Sequence, residues 1–303
     1  MTSKFRSSFT ATTMLALTAL AYTAAFPATT CAFEGQIRAR FIQIPPETFK
    51  RVTGGDKDKA FDVSVEKWMA ETGSGVQIIE SRMRVKGDQI RVEGMDPRDP
   101  DSFMIVDVAE GVTWAVMPAR KSVMKFTPEG AKQLADAAEQ LQNQLETRLR
   151  QQLETADLPP ERRQAMEELL ARAEADKKAR NERRSKPGVK RSGRSAEIHG
   201  FKAEEWEISD GDRSGRVWIT DEHADLAALY GKLQKQMAEM RPNGDQSNTL
   251  DELIGERGFG VRMQMMDSSL PDGVRYSIND VYETKAVDIS DELMELPADY
   301  KVM

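Results

Sequence analysis

Cysteine is almost missing from this sequence. Cys31 is the only one, and histidine is limited to His199 and His223. A zinc centre of Cys and His ligands is therefore all but excluded. A Ser-His-Asp arrangement has only those two imidazoles to draw on. His199 falls in a turn and His223 at a helix start, where polar residues occur for structural reasons alone. No Gly-x-Ser-x-Gly nucleophile elbow follows residue 32. These absences argue against an enzyme, an esterase included, and no cofactor is expected. Basic charge is also in deficit: 43 Lys and Arg against 50 Asp and Glu give a formal charge of -7. An acidic chain is not globally suited to nucleic acid. Beyond residue 26 no run is apolar enough for a membrane-spanning helix of about 20 residues.

The one long apolar run is at the start. Lys4 and Arg6 precede "ATTMLALTALAYTAAF" (11–26), and small residues lead into "ATTCAFEG". A basic start, an apolar core and a small-residue junction predict a secretory signal peptide over residues 1–32, with Thr30 and Ala32 at the two small positions. A retained membrane anchor is the alternative, though the core is short for one. Cys31 lies at the junction. It is either discarded with the peptide or the lipidated first residue of a lipoprotein. Thr29 and Thr30 ahead of it fit a lipoprotein signal poorly, so plain cleavage is the expectation. The exported chain then has no cysteine and is held by its own core.

From Phe33 to Phe126 the pattern predicts mainly strands. In "SRMRVKGDQIRVEG", Met83 and Val85 alternate with Arg82, Arg84 and Lys86, and Ile90 and Val92 alternate with Gln89, Arg91 and Glu93. Period two around "KGD" is a hairpin with one apolar face. "SFMIVDV", "TWAVM" and "SVMKF" add a meander and suggest one continuous antiparallel sheet. "VSVEKWMAETG" fits a strand or a short helix. After Pro128 the composition turns to Ala, Leu, Gln and Glu. Leu134, Ala138, Leu141, Leu145, Leu149 and Leu153 form a helical stripe, and a second helix follows "DLPPE" with Met166, Leu169 and Leu170. This is a helical hairpin over 128–186, inserted between strands. The stretch 187–195, basic and broken by Pro187, Gly188 and Gly193, reads as a linker. Strands resume at "AEIHGFKAEEWEIS" and "GRVWIT". A helix over about 223–240 carries Leu226, Leu229, Tyr230, Leu233, Met237 and Met240 on one stripe.

The second half has a more specific look. "EIHGFKAEEWEIS", "GRVWIT", the amphipathic helix, "FGVRMQMM" and "SINDVYETKAVDISDELMELPADYKVM" together resemble a domain-of-unknown-function family of exported bacterial proteins. That family is similar to the periplasmic lipoprotein-carrier (LolA/LolB-like) fold. The resemblance covers roughly 33–127 and 196–303. It implies a mainly β, α+β architecture: a half-open curved antiparallel sheet wrapped over a helix lid, with the hairpin at 128–186 as an insertion. It implies the periplasm and brings no catalytic residues. On this reading Pro297 sits on the last edge strand, which tolerates a missing donor.

Three further motifs are weighed on chemistry. "DGDRSGRVWITD" places Asp210, Asp212, Ser214, Gly215 and Asp221 like calcium-loop ligands, but strands flank it and a hairpin turn is the simpler expectation. Methionine is frequent, at 16 residues. Core packing comes first, a ligand cavity lined by polarizable side chains second, and Cu(I) ligation a distant third. The basic stretch can meet anionic lipid headgroups, although such runs are usually solvated.

The functional expectation is a non-enzymatic periplasmic protein holding a lipid or acyl chain in the sheet's hollow. Its candidate lining is Met83, Val85, Ile90, Val92, Trp114, Val116, Trp218, Met263 and Met265. Leu226, Leu229, Leu233 and Met237 supply the lid. The rival is an interaction protein with a filled, inert sheet, docking an envelope partner through residues 129–184, where Leu141, Leu145, Leu149 and Leu153 make a seam.

Overall fold

The computed structural model describes residues 33–71, 73, 75–155, 159–182, 188–210, 212–239, 257–268 and 273–303. The expected signal peptide, Cys31 and Met240 lie outside them. The first strand, β1 (Gly35–Ile44), alternates buried and half-buried residues along "GQIRARFIQI". Three short helices then stand where mostly strands were expected: α1 (Pro46–Thr53), α2 (Lys57–Asp62) and α3 (Val65–Ala70). Local capping explains them. Pro46 occupies the first turn of α1, and Gly54 closes it in the left-handed region at φ 71°. The Asp56 carboxylate accepts from the N–H groups of Asp58 and Lys59, and the Ser64 hydroxyl accepts from that of Lys67. The ambiguous "VSVEKWMAETG" is thus the capped helix α3.

The meander follows as expected: β2 (Gln77–Lys86), β3 (Gln89–Glu93), β4 (Phe103–Asp107), β5 (Val112–Met117) and β6 (Ser122–Phe126). The hairpin is α4 (Pro128–Thr155) and α5 (Pro160–Glu182). Then come β7 (Gly188–Ile198), β8 (Phe201–Asp210), β9 (Arg213–Thr220), the helix α6 (Ala224–Glu239), β10 (Phe259–Asp267), β11 (Arg275–Ala286), α7 (Asp291–Met294) and β12 (Lys301–Val302). The twelve strands form one sheet in the order β12-β6-β5-β4-β3-β2-β1-β11-β10-β9-β8-β7. Neighbours are antiparallel except β12, which runs parallel to β6. The sheet is curved and unclosed. Tyr230 shows the curvature: it touches Met83 on β2 and stacks 5.3 Å from Phe259 on β10. Those strands are three steps apart, about 14 Å across a flat sheet.

Two expectations need correction. The basic stretch 187–195 is not a linker, because Gly188 onward is the edge strand β7. Lys190 stands opposite Glu207 at 3.1 Å, and Arg191 pairs with Glu204. A bulge between Arg191 and Ser195 and the run of charges make β7 a poor template for further pairing, which is how natural sheets blunt an edge. Such a strand has a linker's composition. Pro297 is not on an edge strand either. Its carbonyl accepts from the Tyr300 N–H in the turn before β12, whose two residues lie beside Ser122 and Val123. The "DGDRSGRVWITD" stretch runs through the β8–β9 connection and along β9.

The core is divided by the sheet. Ile37 and Ala39 on β1 pack into a cluster with α6, whereas Ile42 and Ile44, of opposite parity, pack with α1–α3 around Trp68 and Tyr276. Because successive side chains alternate, these two cores lie on opposite faces of β1. A third cluster lies on β8–β10, and a fourth joins β4–β6 to Leu296 and Tyr300.

Candidate functional site

The site with the most apolar surface is the face covered by α6. The helix forms where Leu226, Leu229, Tyr230 and Leu233 recur at three- and four-residue spacing. All four are at most 3 % exposed. Opposite them stand Met83 and Val85 from β2, Ile90 and Val92 from β3, and Met104 and Val106 from β4. From the far side come Phe201, Ala203, Phe259 and Val261. Polar ties help pin the helix. The Tyr230 hydroxyl lies 3.0 Å from Met83 Sδ, Lys232 Nζ donates to Asp88 Oδ1 at 2.7 Å, and Gln236 Nε2 lies 3.4 Å from Thr113 Oγ1. His223, just before the helix, is edge-on to Phe33, Phe201 and Phe259 and lies 3.5 Å from Thr284 Oγ1.

The predicted lining does not form one surface. Met83, Val85, Ile90, Val92, Leu226, Leu229 and Leu233 do come together, and Trp218 packs against them. Trp114 and Val116 belong to the fourth cluster, against Leu296 and Tyr300; on β5 it is the intervening Ala115 that meets the α6 core. Met263 and Met265 belong to the third cluster, with Ile208, Val217 and Ile219. The Met237 side chain lies outside the described ones. Alternation identified apolar residues but not which face meets the helix, because strands such as β4 and β5 are buried on both sides. The aromatic contributions of Phe33, Phe201 and Phe259 come from separate elements, and no local spacing announces them. In this structure Leu226, Leu229, Tyr230 and Leu233 of α6 pack against the strand residues of the hollow.

A buried charge cluster also centres on β11. Asp280 on β11 is fully buried. Arg262 Nε donates to its Oδ1 at 2.7 Å, and Arg40 donates to Oδ2 from Nε at 2.8 Å and from Nη2 at 2.7 Å. His199 Nε2 stands 3.0 Å from the same Oδ2. Burial raises the Asp280 pKa, but the Arg262 guanidinium, and after it His199, outweigh burial and hold the carboxyl below its ordinary 3.8. The carboxylate is fully engaged and ties β1, β10, β11 and the β7–β8 turn together. Among the described residues no group of three or more His, Cys, Asp or Glu is placed to hold a metal ion. Among them also no helix is long and apolar enough to cross a membrane.

Residues 116–300 match a family described as a domain of unknown function (DUF4412). No curated protein matches the chain. Among solved structures it is similar to a LolA superfamily protein from Nitrosomonas europaea, at 11 % identity and TM-score 0.31, over 94 % of this chain and 97 % of that one. It is also similar to PNGF-II, at 6 % identity and TM-score 0.28, over 88 % of this chain and 30 % of that one.

Proposed function

From a chain that belongs to the DUF4412 family, we propose a non-enzymatic binding protein of the bacterial envelope that holds a lipid or other apolar ligand on the face beneath α6. The observation that carries this reading is that a single amphipathic helix covers the apolar residues of β2–β4 and β10. Its polar ties to the sheet include one to a thioether and two to side chains at the rim. A ligand of similar apolar area can take the place of α6, because the hydrophobic effect is non-directional and worth about 0.8 kcal/mol per buried methylene. The stretch from Lys4 through Phe26 supports export to the envelope.

The test uses the two groups that tie the helix rim to the sheet. In a Lys232→Cys, Asp88→Cys variant, α6 is bridged to the β2–β3 turn with a short bis-maleimide. The unbridged variant should take up a fluorescent fatty acid into the α6 core and yield lipid on organic extraction, and bridging should suppress that uptake. Absence of both lipid and uptake from the native protein sinks the proposal.

A second reading is favoured by the hairpin. Leu134, Leu141, Leu145 and Leu169 are 52–70 % exposed on α4 and α5, and a bare leucine stripe suits a protein partner. Deleting 129–182, which leaves β7 intact, and testing for loss of an envelope partner in pull-down distinguishes this reading from the first.

A further inference from the structure

A second apolar surface lies on β8–β10, in a cluster separate from the α6 core. On β8 and β9 the side chains of Phe201, Ala203 and Trp218 pack into the α6 core, whereas Trp206, Ile208, Val217 and Ile219 pack into the third cluster. Strand register lines these up. Arg191 on β7 stands beside Trp206 on β8, Trp206 beside Val217 on β9, and Val217 beside Met263 on β10. From the edge inward the surface therefore passes from guanidinium to indole to aliphatic to thioether. Its floor is well packed: Ile208, Val217 and Ile219 are at most 4 % exposed, with Trp206, Met263 and Met265 around them.

A cleft of about 840 Å³ reaches two residues of this cluster, Trp206 and Ile219, and is walled further by Ser195, Ala196, Ala203 and the cations Arg191, Lys202 and Arg257. Clefts of this size suit small-molecule ligands. Glu204 and Asp221 also reach the wall. Arg191 is paired with Glu204. Among the described residues neither Lys202 nor Arg257 has a carboxylate at salt-bridge distance. The Arg257 guanidinium instead lies 5.7 Å from the centre of the Trp206 ring. Two cations whose side chains have no described carboxylate at salt-bridge distance, beside the indole of Trp206 and the side chain of Ile219, match one ligand chemistry.

We propose that this cleft binds a single-chain anionic amphiphile. Lys202 and Arg257 hold its carboxylate or phosphate head, and Trp206 and Ile219 carry its chain. None of the residues that wall the cleft belongs to α6, so the site does not depend on the lid proposed above.

Titration calorimetry below micelle-forming concentrations, with the full chain, tests it. The probes are oleate, lysophosphatidic acid and oleyl alcohol. At least one anionic probe should bind more tightly than oleyl alcohol, and the comparison of oleate with lysophosphatidic acid tells which head is preferred. Lys202→Glu with Arg257→Glu, both exposed positions, should weaken the bound anionic probe at least about tenfold and leave oleyl alcohol unchanged. Binding should persist when α6 is bridged to the sheet through Lys232→Cys and Asp88→Cys. The proposal is overturned if no anionic probe binds, if charge reversal changes its affinity less than about twofold, or if bridging α6 abolishes the binding.

Discussion

Asp280 is fully buried with two guanidiniums and an imidazole on its oxygens, and little in the sequence marks it. Its partners Arg40, Arg262 and His199 are scattered over β1, β10 and the β7–β8 turn. "SIND" by itself reads as ordinary strand. His199 was legible only as a turn residue, and its φ of 50° agrees with that. The linkage has a definite sign. A carboxyl whose folded pKa lies below 3.8 stabilises the fold above that value and loses its contribution as pH falls through the folded pKa. Replacing Asp280 by Asn leaves Arg40 and Arg262 facing a neutral amide in a buried place. The expected cost is about 3 kcal/mol at neutral pH. The gap between variant and native protein should narrow as pH falls below 3.8 and through the lower folded value. Urea unfolding of both proteins at neutral pH and through the acid range measures it; a gap that is constant with pH contradicts the assignment.

At the scale of elements, helices and hairpins with a single apolar face were legible. Leu226, Leu229, Tyr230 and Leu233 were placed on one stripe, and all are buried. The β2–β3 hairpin likewise turns Met83, Val85, Ile90 and Val92 to one core. What alternation misses is a strand with two buried faces, which is why Trp114 and Val116 were assigned to the wrong side of β5. It also misses an edge strand made of charges, such as β7, and helices too short for periodicity, such as α1–α3. The two helical regions with leucine stripes should respond in opposite ways. Leu229→Ala removes a fully buried side chain from α6 and should cost about 2–5 kcal/mol. Leu141→Glu with Leu145→Glu, at sites 59 % and 52 % exposed, should change stability by no more than about 0.5 kcal/mol each. Denaturant midpoints with unchanged slopes distinguish the two cases.

On the scale of the whole molecule, the strand order sets the folding problem. β1 stands at the middle of the sheet, between β2 and β11, and pairs with β11 antiparallel along ten residue pairs from Gly35–Ala286 to Ile44–Tyr276. The Arg40–Asp280 bond within it spans 240 residues of chain. Loop closure on that scale precedes any return from the contacts, so folding is expected to be slow, on the order of milliseconds to seconds or longer. Stopped-flow fluorescence refolding measures the rate. A fragment ending at Ser268 keeps every strand except β11 and β12, yet it lacks the partner on one side of both β1 and β10. Circular dichroism should find this fragment without cooperative unfolding.

The same topology has a temporal side. The strand at the centre of the finished sheet emerges among the first from the ribosome, and its neighbour emerges near the end. Throughout that interval the sticky residues of β1 — Ile37 on one side, Ile42 and Ile44 on the other — have no mate on the β11 side. A nascent chain in that condition keeps apolar strand residues unpaired, and its yield depends on how long the wait is kept clean of strangers.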